Sequence, residues 1–199
     1  MHRANKAVLS SAATVHNRWM DELARAGIAA PSRVVCACSG VDAVWLSPFF
    51  RSPMADIVFR QLATAAGLGA RVSSSSAGTG DWHVGERADQ RTLAALERRS
   101  FDGSAHRARQ FITKAFDDND LVVALDRSNA RILHSWARDE ADADKIALLM
   151  SFDATSQGEM DVPDPYYADA AMFDEVLGMI DSACRALFRQ LEPAVRLPA

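Results

Sequence analysis

The stretch that most constrains the fold runs from Val34 to Phe59. An apolar, β-branched segment, Arg33-Val34-Val35-Cys36-Ala37-Cys38, ends at Ser39-Gly40; ten mostly apolar residues follow, and Arg51-Ser52-Pro53-Met54-Ala55-Asp56 then opens a helical pattern. The first segment reads as a buried parallel strand, which puts Cys36 and Cys38 on the same side of it. Met54, Ile57, Val58, Leu62 and Ala65 recur with helical spacing, so a helix is expected from Pro53 to Gly67, with Pro53 tolerated in the first turn and Gly67 or Gly69 ending it. If the two ends were adjacent, strand, glycine turn and helix start would aim backbone N–H groups at one point, an arrangement that holds an anion. A cysteine there has its thiolate, the nucleophilic form, favoured. An arginine there offers a planar fork to two phosphate oxygens.

The remainder alternates in the same way. Leu121 to Leu125 is an unbroken apolar run, expected as a strand, and Asp126-Arg127-Ser128-Asn129 opens a helix through about Arg138. Asp89 to Arg99 is expected as a helix with Leu93, Ala94 and Leu96 inward, and Ile146 to Phe152 as the last strand. Asp161-Val162-Pro163-Asp164-Pro165-Tyr166-Tyr167 reads as a rigid loop. From Asp169 to Leu191, Phe173, Val176, Leu177, Ile180, Cys184, Leu187 and Leu191 share one helical face. Alternation of this kind predicts an α/β fold, a doubly wound parallel sheet with helices on both faces and ligands at the carboxyl ends of the strands. Residues 1–32 stand apart as an N-terminal extension. Val15, Trp19 and Leu23 recur at helical spacing after Ser10 or Ser11, and the pattern ends by Gly27 before an Ala30-Pro31-Ser32 linker, so this extension is one helix or a poorly ordered tail.

The 199 residues suit one domain with a sizeable core, residues 33–193. A net charge of −4 argues against nucleic acid or an acidic membrane surface as the main partner. No apolar run reaches membrane-spanning length and no secretion signal is evident, which makes a cytoplasmic protein the expectation. Cys36, Cys38 and Cys184 form neither a metal pattern nor a disulfide framework. Cys184 falls on the apolar face of the last helix and is expected in the core; Cys36 reads as a buried strand residue.

Several segments together resemble the low-molecular-weight protein-tyrosine phosphatase family. They are Cys38-Ser39-Gly40, Ser52-Pro53-Met54-Ala55-Asp56, the run from Ser76 to Glu86, Ser104 to Gln110, Asp126 to Asn129, and Asp164-Pro165-Tyr166-Tyr167. The resemblance also implies a strand over the Ser-rich Arg71 to Ser76, which propensity alone does not support, and with it a four-stranded parallel sheet. It implies hydrolysis of a phosphotyrosine protein or small aryl phosphate through a cysteinyl-phosphate intermediate, without metal or cofactor and with inorganic phosphate as product. In that scheme Cys38 is the nucleophile, Arg51 the phosphate clamp and Asp164 the acid, then the base. Ser39 and Gly40 belong to the phosphate loop and Ser52 hydrogen-bonds the thiolate. His106, Asp126 and Asn129 brace the loop, while Trp82, His83, Tyr166 and Tyr167 wall the substrate slot.

The chain departs from the family within the loop. Twelve residues separate Cys38 from Arg51, seven more than the family has, and Trp45 stands six positions before Arg51. Residues 41–50 are therefore read as an insertion whose Trp45, Leu46, Phe49 and Phe50 must be buried somewhere. The asparagine that partners His106 in the family has no counterpart between Cys38 and Arg51. Two alternatives follow: a catalytically silent member that binds a partner, and an arsenate reductase, which would need additional cysteines to relay a disulfide.

Overall fold

The computed structural model describes residues 33–38, 50–80 and 84–196, with the backbone alone for 35–38. Four parallel strands form one sheet: β1 (Arg33–Cys38), β2 (Ser73–Gly78), β3 (Leu121–Ala124) and β4 (Ile146–Leu148), in the order β2-β1-β3-β4. In register, Cys36 faces Ser76 on one side and Val123 on the other, and Cys38 faces Gly78. The chain leaves β1 toward β2 and later returns to β3 on the opposite side of β1, so the strand order reverses there. In open α/β sheets that crevice is where ligands bind.

The helices are α1 (Arg51–Ala65), α2 (Gln90–Arg98), α3 (Ala115–Asp118), α4 (Arg127–Trp136), α5 (Glu140–Asp144) and α6 (Ala170–Arg196). Alternation along β3 shows why both faces are covered. Leu121 and Val123 pack into a core with Met54 and Ile57 of α1 and Phe173, Leu177 and Ile180 of α6. Val122 and Ala124 face the other way, onto Phe111, Phe116 and Leu133. Cys184 is buried in the first of these cores, as expected.

Some expectations are corrected. Helix α1 begins at Arg51, two residues before Pro53, because a proline is still harmless where the first-turn N–H groups have no helical partner; Ala65 on its last turn is exposed. Strand β2 lies at 73–78, and its alternate hydroxyls are taken up by neighbours: Ser74 Oγ donates to Asp56 Oδ1 at 2.5 Å, and Ser76 Oγ meets His106 Nε2 at 2.7 Å. The inward face of α2 is Thr92, Ala95 and Leu96, with Leu93 and Ala94 only half-buried. Strand β4 stops at Leu148 and becomes a 3-10 turn over Leu149–Phe152. Helix α6 runs past Leu191 and through Pro193 to Arg196. The expected helix in residues 1–32 and most of the 41–50 segment lie outside the described residues. Phe50, its last member, is buried, as expected for that segment. Among the described residues no helix is long and apolar enough to cross a membrane.

Candidate active site

Two polar groups flank the carboxyl end of β1. On the β3 side, Arg51 opens α1 with its side chain only 7% exposed. Its Nη1 donates to Asp126 Oδ2 at 2.7 Å and to the Val162 carbonyl at 2.5 Å. Asp126 lies one residue beyond the strand, after Leu125, and caps α4: its Oδ1 accepts from the Asn129 backbone N–H at 2.7 Å and also from the Asn129 side-chain amide. Asn129 is buried. One carboxylate thus terminates a helix and holds the arginine that begins another.

The 161–168 loop is pinned to the same point. Val162 N–H donates to the Leu125 carbonyl at 2.9 Å, and the Arg127 N–H donates to Asp161 Oδ1 at 2.7 Å. The Arg127 guanidinium adds a contact to Asp161 Oδ2 at 2.5 Å, and this hydrogen bonding holds the Asp161 carboxyl below its ordinary range. Asp164 Oδ2 comes within 3.8 Å of Arg51 Nη2 and its side chain is half exposed. Arg51, Asp126, Asp161, Val162 and Asp164 line an open cavity of about 450 Å³, together with the first turns of α4.

On the β2 side, His106 is buried with Nε2 on the Ser76 hydroxyl, and among the described residues Nδ1 has no hydrogen-bond partner. Burial lowers its pKa; Asp56 opposes this, and Arg60, Arg107 and Arg109 add to it. Ser52 is buried in the first turn of α1. Tyr166 is half-buried, its ring edge-on to Phe50 at 5.6 Å and to Tyr167 at 4.6 Å, whereas Tyr167 is 87% exposed.

Of the residues expected at the site, Arg51, Asp126, Asn129 and Asp164 come together, and His106 sits across β1 from them with Ser76. Cys38 ends β1 between the two groups, with only its backbone described. Ser39, Gly40, Trp82 and His83 lie outside the described residues. Sequence reasoning missed the Val162 carbonyl, the Arg127–Asp161 pair and Ser76 as the partner of His106. Each of these joins segments far apart in the chain, and no local pattern marked them.

Comparison with known proteins decides the family. The family model described as low molecular weight phosphotyrosine protein phosphatase matches residues 44–197. The chain belongs to that family. A low molecular weight protein-tyrosine-phosphatase of Streptomyces coelicolor is 47% identical over 146 residues, 73% of this chain and 88% of that protein. Low molecular weight protein-tyrosine phosphatase A of Mycobacterium bovis is 40% identical over 158 residues, 79% and 90% of the two chains. Among solved structures, YfkJ from Bacillus subtilis superposes with a TM-score of 0.70 at 32% identity, over 81% of this chain and 94% of that one. A protein tyrosine phosphatase from Entamoeba histolytica, with Hepes in its active site, gives 0.72 at 26% identity, over 81% and 97%. The fold and the hydrolase class of this phosphatase family follow from these matches. The family-model match starts at Val44 and leaves out β1 and Cys38.

Proposed function

We propose that the crevice beside β1 is a phosphomonoesterase site for phosphotyrosine or small aryl phosphates, working through a cysteinyl phosphate. The observation that carries this reading is the Arg51 guanidinium, buried at a helix start, fixed by Asp126 and Val162, and 3.8 Å from the Asp164 carboxylate. Burial and fixed partners pre-organise the arginine for the equatorial oxygens of a transferring phosphoryl group. The Cys38 thiolate attacks phosphorus, the bond to the phenolic oxygen breaks, and Asp164 gives that oxygen its proton. Asp164 then takes a proton from water, which displaces the thiolate and releases inorganic phosphate. Ser52, His106, Asp126 and Asn129 brace the cradle, Ser39 and Gly40 contribute loop amides, and Trp82, His83, Tyr166 and Tyr167 wall the slot.

A second reading, a silent member that binds phosphorylated partners without turnover, is favoured by the twelve residues between Cys38 and Arg51 and by the start of the family match at Val44. Five residues wrap their amides around one phosphate; here seven must bulge outward, and a misplacement of about 1 Å can cost about a hundredfold in rate. The test is hydrolysis of an aryl phosphate at mildly acidic pH by the chain, by Cys38→Ser and by a chain shortened by seven residues within 41–50. Activity abolished in Cys38→Ser supports turnover with the insertion in place. Activity in the shortened chain alone would mean that the scaffold is a phosphatase and that the insertion silences this chain. Iodoacetate labelling adds a second readout: Cys38 should react well below the pH at which ordinary thiols do, and phosphate should protect it. Cys184 will not interfere, since burial raises its pKa.

A further inference from the structure

Arg91, the second residue of α2, joins three separate parts of the chain. Its guanidinium carbon lies 4.9 Å from the ring centre of Phe173, 5.1 Å from that of Phe50 and 5.9 Å from that of Tyr166. Phe50 and Phe173 are buried and meet edge to face at 5.6 Å. Nη1 donates to the Tyr166 carbonyl at 2.8 Å, while Nε donates at 3.1 Å to Asp89, the carboxylate that caps α2. From the same Tyr166, the backbone N–H donates to Asp164 Oδ1 at 3.1 Å.

Among the described residues, the Arg91 bond is the one hydrogen bond that reaches residues 164–168 from outside their loop; Ala168 N–H turns back on the Pro165 carbonyl. The other anchor of the cage is Phe50, the residue immediately before Arg51. Arg91 therefore grips the neighbour of the phosphate clamp and the neighbour of the acid together. Side chains of Arg91 and Asp89 are 43% and 28% exposed, so their ion pair by itself contributes little. The three rings and the Tyr166 bond give the guanidinium its fixed place.

We propose that Arg91 is a positioning residue for Asp164, holding the Tyr166 backbone against Phe50 and so setting the acid's distance from Arg51. The inference rests on the reading of Asp164 as the proton donor. It is tested on the full chain with Arg91→Ala and Arg91→Lys beside Asp164→Asn, across aryl phosphates of decreasing leaving-group acidity. Loss of a general acid matters most for the poorest leaving groups. Arg91→Ala should lower kcat/KM, which reports the steps up to departure of the phenolate, about 30-fold on phenyl phosphate and no more than about threefold on p-nitrophenyl phosphate. Arg91→Lys should recover part of the loss, since an ammonium keeps the charge over the rings and cannot span Tyr166 and Asp89 at once. A loss of kcat/KM that is uniform across the series overturns the proposal.

Amide hydrogen exchange decides the matter even without turnover. The Tyr166 amide should lose about tenfold in protection in Arg91→Ala while β3 and α6 amides keep theirs. Unchanged Tyr166 exchange overturns the contact in any case. If Tyr166 responds to Arg91 but Asp164→Asn shows no leaving-group dependence, the acid assignment fails instead, and the two failures are told apart. Should Arg91→Ala loosen every amide, Arg91→Lys supplies the comparison.

Discussion

At the scale of single residues, Arg51 holds a charge that the fold has already partly neutralised. Asp126, its 2.7 Å partner, is 16% exposed, so removing the cation strands a largely buried carboxylate. Arg51→Met is expected to cost about 3 kcal/mol in chemical denaturation, the scale seen when one member of a buried pair is deleted. Arg51→Lys keeps the charge and loses the fork. It should weaken inhibition by inorganic phosphate at least about tenfold, about 1.4 kcal/mol, because an ammonium cannot serve Asp126, Val162 and a bidentate oxyanion together. His106 makes the opposite case, a base kept neutral by burial. Its folded pKa lies below the ordinary 6.5, so below about pH 6.5 the unfolded chain binds more protons than the folded one and stability falls with pH. The loss accumulates until the pH reaches the lower folded value. His106→Gln should flatten that slope, and thermal melts of both proteins from about pH 7.5 down to about pH 5.5 will show it.

At the scale of elements, α1 ends in a sequence-readable way. Gly67 has φ of +73°, its N–H donates to the Thr64 carbonyl at 3.0 Å, and Leu68 N–H donates to the Ala63 carbonyl at 2.8 Å, the paired bonds of a Schellman cap. A Cβ there would meet nothing, so Gly67→Ala is a purely conformational change and should cost about 1 kcal/mol by denaturant titration. The stop of α1, the apolar run of β3 and the single apolar face of α6 were legible because each depends on residues close in sequence. Strand β2 was not: four consecutive serines become a strand because Asp56 and His106, from other elements, take up alternate hydroxyls. Strand β4 was overextended because Leu149 and Met150 are as apolar as a strand requires while their backbone turns into a 3-10 helix. The site divides likewise. That Asp126 to Asn129 open a helix after the apolar run was legible, but the bond from Arg51 to the Val162 backbone spans 111 residues and involves no side chain of Val162. Nor does any local pattern mark Arg91, whose contact with Tyr166 spans 75 residues.

At the scale of the whole molecule, the strand order β2-β1-β3-β4 brings the start of α1, the cap of α4 and the 161–168 loop to one crevice. These parts are held by contacts that bypass the Cys38–Arg51 connection: Asp126 to α4, Val162 to Leu125, and Arg51 to both. The anion binding proposed at Arg51 is thus separable from the geometry of the Cys38–Arg51 connection. An anion that binds only the folded state stabilises it by RT ln(1 + [L]/Kd), about 2.7 kcal/mol at a hundredfold excess over Kd. Inorganic phosphate should therefore raise the melting temperature of the full chain whether or not the chain turns over an aryl phosphate. The shift should persist in Cys38→Ser and vanish in Arg51→Met. A shift that Cys38→Ser abolishes would mean that the Cys38 end of the connection helps to hold the anion, and the two would not be separable. No shift in any of them, with activity absent, would mean that the crevice keeps the family's architecture without its anion site, and neither the enzyme nor the silent phosphate binder would survive.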